Sequence, residues 1–194
     1  MQKLSTGISK LLAAVGVGGL LLFTNSGTVQ ASPAVQPFTE QVRAANLSSE
    51  QATALQSEVD RHLRKLSGKQ VSPNEIKFEG GRMLVAVPGE KYPRNFATGQ
   101  GAQPLYDQCY DGPLYAGWFC EYDDEYYQGS KVEWYTCETH TDPFSGKGSW
   151  INNQTRGTRA RMYDIFGSLI YTTPGSYSSD PTGDWTDVQS VDIC

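Results

Sequence analysis

The run Asp123-Asp124-Glu125 offers three carboxyls to acid–base chemistry. Two carboxyls can cleave a glycoside, but only when they flank a cleft. Neighbours along a hairpin point different ways, so the run reads as a solvated loop. The two histidines, His62 and His140, stand in a helical segment and in a loop after Cys137. Neither belongs to a metal motif or has a nucleophile beside it. No catalytic constellation emerges, and the chain reads as a non-enzyme.

The cysteines Cys109, Cys120, Cys137 and Cys194 can do redox chemistry. Their spacing contains no close pair of the kind that holds zinc. An even count in an exported chain reads as two disulfides. Four cysteines allow three connectivities. The favoured pairing is Cys109–Cys120, a short local closure, with Cys137–Cys194, but spacing alone does not choose it. A third pattern is structural. Tyr122, Tyr127 and Gly129 run as aromatic, four residues, aromatic, one residue, glycine. Glycine can take the positive φ that a folded-over hairpin needs, and the two rings can cover the loop.

Residues 1–31 read as a secretory signal. Lys3 and Lys10 precede the apolar run Leu11–Phe23, and Val29-Gln30-Ala31 offers a cleavage site before Ser32. The expected location is secreted and extracellular, with no membrane association after cleavage. Beyond the signal, residues 103–194 hold 5 basic and 14 acidic side chains. Phosphate backbones would be repelled, so nucleic acid is excluded as a partner.

The elements that position these residues fall into two groups. Residues 32–87 read as a mobile leader, a helix and a β-hairpin. Ser48 and Gln51 form a capping-box pattern, and Ala52, Leu55, Val59, Leu63 and Leu66 make one apolar stripe that Gly68 ends. Glu75–Val87 reads as a hairpin turning at Gly80-Gly81. Residues 88–104 form a Pro/Gly-rich linker. In residues 105–194, strand signals recur at Trp118–Tyr122, Lys131–Tyr135, Ser149–Asn152, Ala160–Tyr163, Ser168–Thr172 and Gln189–Cys194. Many short strands with turns between them predict a mainly β sandwich preceded by a small αββ unit.

The Tyr122/Tyr127/Gly129 signature, with Gly148–Asn153 and Asp184–Ile193 after it, resembles secreted actinobacterial βγ-crystallin-like proteins, and among them the peptidase-inhibitor family of the streptomycete metalloproteinase inhibitor. The resemblance covers about 103–194 and implies a Greek-key fold. A second key is imperfect: Phe166 and Tyr171 have the aromatic spacing, and Thr173 stands in place of glycine. Microbial relatives often bind calcium. The matching stretches here are Phe144–Ser149, which has lost both acidic positions and carries Lys147, and Thr186–Val191, which keeps Asp187 and Ser190. No cofactor is expected, and calcium binding is expected to be weak at most.

The resemblance implies a secreted peptidase inhibitor that presents a clamped loop, with Tyr171–Asp184 or Glu138–Gly148 long enough to serve. The alternatives are a carbohydrate or envelope-polysaccharide binder using Trp118, Trp134, Trp150, Trp185 or tyrosine faces, and a structural or toxin-like protein. Expected partners are therefore an extracellular protease or an envelope polysaccharide.

Overall fold

The structure, a computed structural model, describes residues 38–96, 107, 109–110 and 116–194. The expected signal, most of the leader and the later part of the linker lie outside these residues.

Helix α1 (Thr39–Ala44) precedes α2 (Ser49–Leu63). The predicted capping box starts α2: Ser48 accepts from Gln51 N, and the Gln51 side chain accepts from Ser48 N. Leu55 and Val59 are buried from the predicted stripe, and Leu66 follows in the turn beyond the helix. Gly68 does not cap α2, whose C-cap is Arg64. It opens β1 (Gly68–Gln70), where its missing side chain lets Ile76 approach.

The hairpin follows as β2 (Glu75–Phe78) and β3 (Gly81–Leu84), with Gly80 at φ 80° in the turn. Then come β4 (Trp118–Asp124), β5 (Gln128–Trp134), β6 (Thr139–Thr141), β7 (Lys147–Asn153), β8 (Arg161–Tyr163), β9 (Leu169–Thr172), β10 (Ser178–Asp184) and β11 (Ser190–Asp192). They form two antiparallel sheets, one ordered β1-β2-β3-β5-β4-β7-β10 and the other β6-β11-β8-β9. The chain is thus mainly β, consistent with a sandwich.

The first sheet joins what the sequence seemed to divide. β3 pairs with β5 in a continuous register, Met83 opposite Val132 and Arg82 opposite Glu133. Residues Val35–Cys194 form one compact unit. One core draws Leu55 and Val59 from α2, Ile76, Met83, Phe119, Val132, Trp134 and Trp150 from the first sheet, and Met162 and Val191 from the second. The αββ segment is therefore part of the same core rather than a unit beside it. The physical reason is that a helix and a two-stranded hairpin cannot bury both faces alone.

Alternation along β5 sorts the side chains. Val132 and Trp134 face the common core, and Lys131 and Glu133 face the opposite side. On that side a second, smaller cluster gathers Cys109, Cys120, Tyr122 and Ile151. The disulfides are Cys109–Cys120 and Cys137–Cys194, the favoured pairing, and they place the chain in an oxidising compartment during folding. No helix among the described residues is long and apolar enough to cross a membrane.

Candidate functional site

The β4–β5 connection carries Tyr122, Tyr127 and Gly129 in a tight turn. Gly129 has φ 78°, and a Cβ there would lie 1.9 Å from Asp123 Oδ1. Tyr122 is buried and meets Tyr127 edge-on, with centroids 5.6 Å apart at 70°. Tyr126 and Tyr127 lie at φ 59° and 63°, two successive non-glycine residues in the left-handed region. Each such residue costs about 1–3 kcal/mol and persists only where its surroundings hold it. Ser149 on β7 supplies the hold: its Oγ accepts from Tyr127 N at 2.9 Å and donates to Asp124 O at 2.7 Å. Gly148, one residue earlier, leaves room for Trp185, whose Nε1 donates to Tyr122 O at 2.8 Å.

Beside this turn lies a cleft of about 300 Å³. Tyr92, Tyr110, Tyr126 and Tyr127 line it, with Tyr122 and Lys131 at its base. Tyr122 and Lys131 are cross-strand partners. Lys131 is only 2% exposed, 2.8 Å from Glu133 Oε1 and 3.3 Å from Asp107 Oδ2. Arg82 pairs with the other oxygen of Glu133. Asp107 also accepts from Tyr122 Oη at 2.8 Å and from the backbone N–H groups of Cys109 and Tyr110, which ties that segment over the sheet. Burial, with the Asp107 charge next to it, holds the Tyr122 phenol well above its ordinary value, so it remains a donor.

A second exposed feature is the β8–β9 tip. Ile165 is 74% and Phe166 89% exposed. The loop holds its own shape. Asp164 Oδ1 accepts from Phe166 N at 2.9 Å and Ser168 N at 2.8 Å, while Asp164 N donates to Ser168 O and Gly167 N donates to Asp164 O. Phe166 thus points into solvent, and Thr173 is buried with its hydroxyl oxygen accepting from Asn152 Nδ2 and Ala160 N. The Phe166/Tyr171/Thr173 spacing does not produce a folded-over turn like the one at Tyr126 and Tyr127.

The other sequence candidates go to structural roles. Trp134, Trp150 and Trp185 are buried in the core, so tyrosines rather than tryptophans carry the exposed aromatic surface. His62 is buried against Phe144. Burial, then Arg61 and Lys65, lowers its pKa to about 3, and it is a neutral core histidine. His140 stacks on Trp134 at 4.1 Å, and its Nε2 donates to Thr136 O. Burial and the Asp124 charge raise Asp123 to about 6. Of the two calcium-like stretches, the first places Lys147 Nζ 2.6 Å from Asp184. Donor atoms of Asp107, Cys109 and Cys120 lie together, but both sulfurs belong to a disulfide and offer no thiolate.

Of the two stretches considered as presented loops, Glu138–Gly148 contains β6 and the buried Asp142 and Phe144, and Tyr171–Asp184 contains β10, paired to β7. Sequence reasoning missed Tyr92, Tyr110, Tyr126, Lys131, Glu133 and Asp107 as a group. The signal available was the density of tyrosines and the charged positions alternating with Val132 and Trp134. It also missed two buried acids, Glu121 and Asp142. Burial, and for Glu121 the Asp142 charge as well, pushes both carboxyls up.

Comparison with protein-family models, curated proteins and solved structures finds no match for this chain.

Proposed function

We propose that this is a secreted, non-enzymatic peptidase inhibitor that presents the β8–β9 tip to a protease cleft. The observation that carries the reading is Phe166, 89% exposed on a loop whose shape is fixed by Asp164. With Ile165, Leu169 and Ile170 also exposed, Phe166 belongs to a contiguous apolar patch, whose burial by a partner is favourable. A loop already in its bound shape loses little freedom on docking, and that is the physical requirement of a tight inhibitor. Asp164 meets the requirement with side-chain bonds inside the loop, independent of any partner. The sequence resemblance to βγ-crystallin-like inhibitors points the same way, supported by the folded-over hairpin at Tyr122, Tyr127 and Gly129 with Ser149 behind it. The second key, lacking that geometry, is instead free to project its aromatic outward. On this reading Phe166 enters a subsite for aromatic or large apolar side chains, and export follows the signal-like residues 1–31.

The test is inhibition of secreted metalloproteases and serine proteases that prefer aromatic residues, at micromolar concentrations of the mature chain. Phe166→Ala is expected to raise the inhibition constant by about thirtyfold, the loss typical of a central anchor of about 2 kcal/mol. Its melting temperature should not change, because the ring touches little of the fold. Absence of inhibition in both classes, or equal inhibition by Phe166→Ala, would overturn the reading.

A further inference from the structure

We propose that the tyrosine cleft over Lys131 is a saccharide-binding site that takes a neutral pyranose unit of a glycan. It is lined by residues of β4, β5 and their connection with Tyr92, Pro93, Asp107 and Tyr110, apart from the β8–β9 tip, and is independent of the inhibitory reading.

The rim is aromatic. Tyr92, Tyr110 and Tyr126 are each at least half exposed at its edge. Tyr110 meets Tyr127 edge-on at 5.9 Å, and Tyr127 meets Tyr122 edge-on at 5.6 Å. Successive rings near right angles make walls rather than a flat patch. A pyranose presents C–H groups on its faces and hydroxyls around its edge. The faces suit the electron-rich faces of phenol rings, and the hydroxyls suit polar groups at the base of a cleft.

Beneath the cleft the charges balance. Lys131 and Arg82 stand against Asp107 and Glu133. A charged ligand would find no spare countercharge and would have to compete with a buried pair. A neutral polyol would not. The Lys131 ammonium is enclosed between two carboxylates, so the polar contacts to a ligand fall to the partly exposed Asp107 carboxylate and to the phenol hydroxyls of the rim. Tyr122 is fully buried, and its Oη donates to Asp107, which fixes that carboxylate at the floor of the cleft. The volume of about 300 Å³ is at the small end for ligand clefts, the scale of one or two sugar rings.

The backbone points the same way. Tyr126 and Tyr127 are held in left-handed conformations by Ser149, and the outcome is to stand Tyr126 at the rim with 61% of its surface exposed. Strain of this kind clusters where geometry serves a ligand.

The experiment is calorimetric titration of the intact mature chain with chitohexaose, cellohexaose and laminarihexaose, alongside choline as a cationic aromatic-cage probe. Binding to at least one hexaose at millimolar concentration or tighter is expected. Tyr126→Ala should weaken it by about tenfold, the loss of one stacked ring, with the melting temperature kept as the check on folding. Phe166→Ala should bind sugar like the parent, which separates this site from the inhibitory one. No binding of any hexaose, binding unchanged in both Tyr126→Ala and Tyr110→Ala, or binding of choline in place of the sugars would each overturn the proposal.

Discussion

At the residue scale, the most consequential side chains are acids in the wrong place. Glu121 alternates onto the core face of β4, and Asp142 lies beside it with Oδ1 accepting from Phe144 N at 2.7 Å. Burial holds Asp142 up at about 7 and Glu121 well above its ordinary value, the latter aided by the Asp142 charge. Lys65 from the helix side pulls Asp142 back a little. In the unfolded chain these groups titrate near ordinary carboxylate values. Between about pH 4 and 7 the folded state therefore binds more protons than the unfolded one, and stability falls as pH rises. His62 acts in the opposite sense, but only below its ordinary value of about 6.5, because its folded pKa is depressed. The acids are left unopposed just below pH 7. The melting temperature should thus be higher at pH 5.5 than at pH 7.5, by about 2–4 °C for each kcal/mol involved. Asp142→Asn keeps an acceptor for Phe144 N and removes one buried charge. It should raise the melting temperature at pH 8 and change it little at pH 5. A melting temperature that climbs from pH 5.5 to 7.5 in the parent chain would contradict this assignment.

At the scale of elements, the folded-over β4–β5 hairpin is stabilised from outside itself. Its two left-handed tyrosines are bonded through Ser149, which belongs to β7. Ser149→Ala removes both bonds and leaves Tyr127 N and Asp124 O to find other partners, at about 1–3 kcal/mol. Calorimetric melting should show a drop of several degrees, and sugar binding should weaken because Tyr126 and Tyr127 lose their fixed positions. A variant that melts like the parent would show that the turn holds itself. The hairpin was legible in the sequence because its requirements are local: an aromatic, a second aromatic and a glycine at set spacing. So were α2, through its capping box, and β4, β5, β7, β8, β9 and β11, through short strand-like runs separated by turn-forming residues. β10 was not, since Ser178–Asp184 is polar and contains Pro181. It pairs only as an edge strand, with a register shift between Asp180 and Gly183 where proline is tolerated. The cleft was illegible for a different reason. Tyr92, Asp107 and Lys131 meet only because the strand order runs β3-β5-β4, and no local pattern encodes that order.

At the scale of the whole molecule, the change in composition near residue 103 suggests two parts, and the sheet does not follow it. All the cysteines and most aromatics lie beyond that point, yet β3 is the hydrogen-bonded neighbour of β5 and Met83 packs into the same core as Val132. Composition reports which residues a segment contributes; it does not report which segment covers them. Phe119, Val132 and Trp134 are at most 2% exposed in the intact chain, and α2, β2 and β3 supply part of their cover. Losing it would return on the order of 1.5–3 kcal/mol per side chain to water, against a total stability of about 5–15 kcal/mol for a domain. It would also open the long edge of β5 to pairing with other chains. The disulfides constrain the unfolded fragment by about 2–4 kcal/mol each and restore neither the cover nor the edge. A fragment of residues 105–194 with both disulfides formed should therefore melt without a cooperative transition, bind a hydrophobic dye and self-associate. Adding back residues 32–104 as a separate chain should restore cooperativity at least in part, since the interface is a strand pairing plus a shared core. A fragment that melts cooperatively alone, with the β4–β5 amides protected from exchange, would show that the second part of the chain is a domain in its own right.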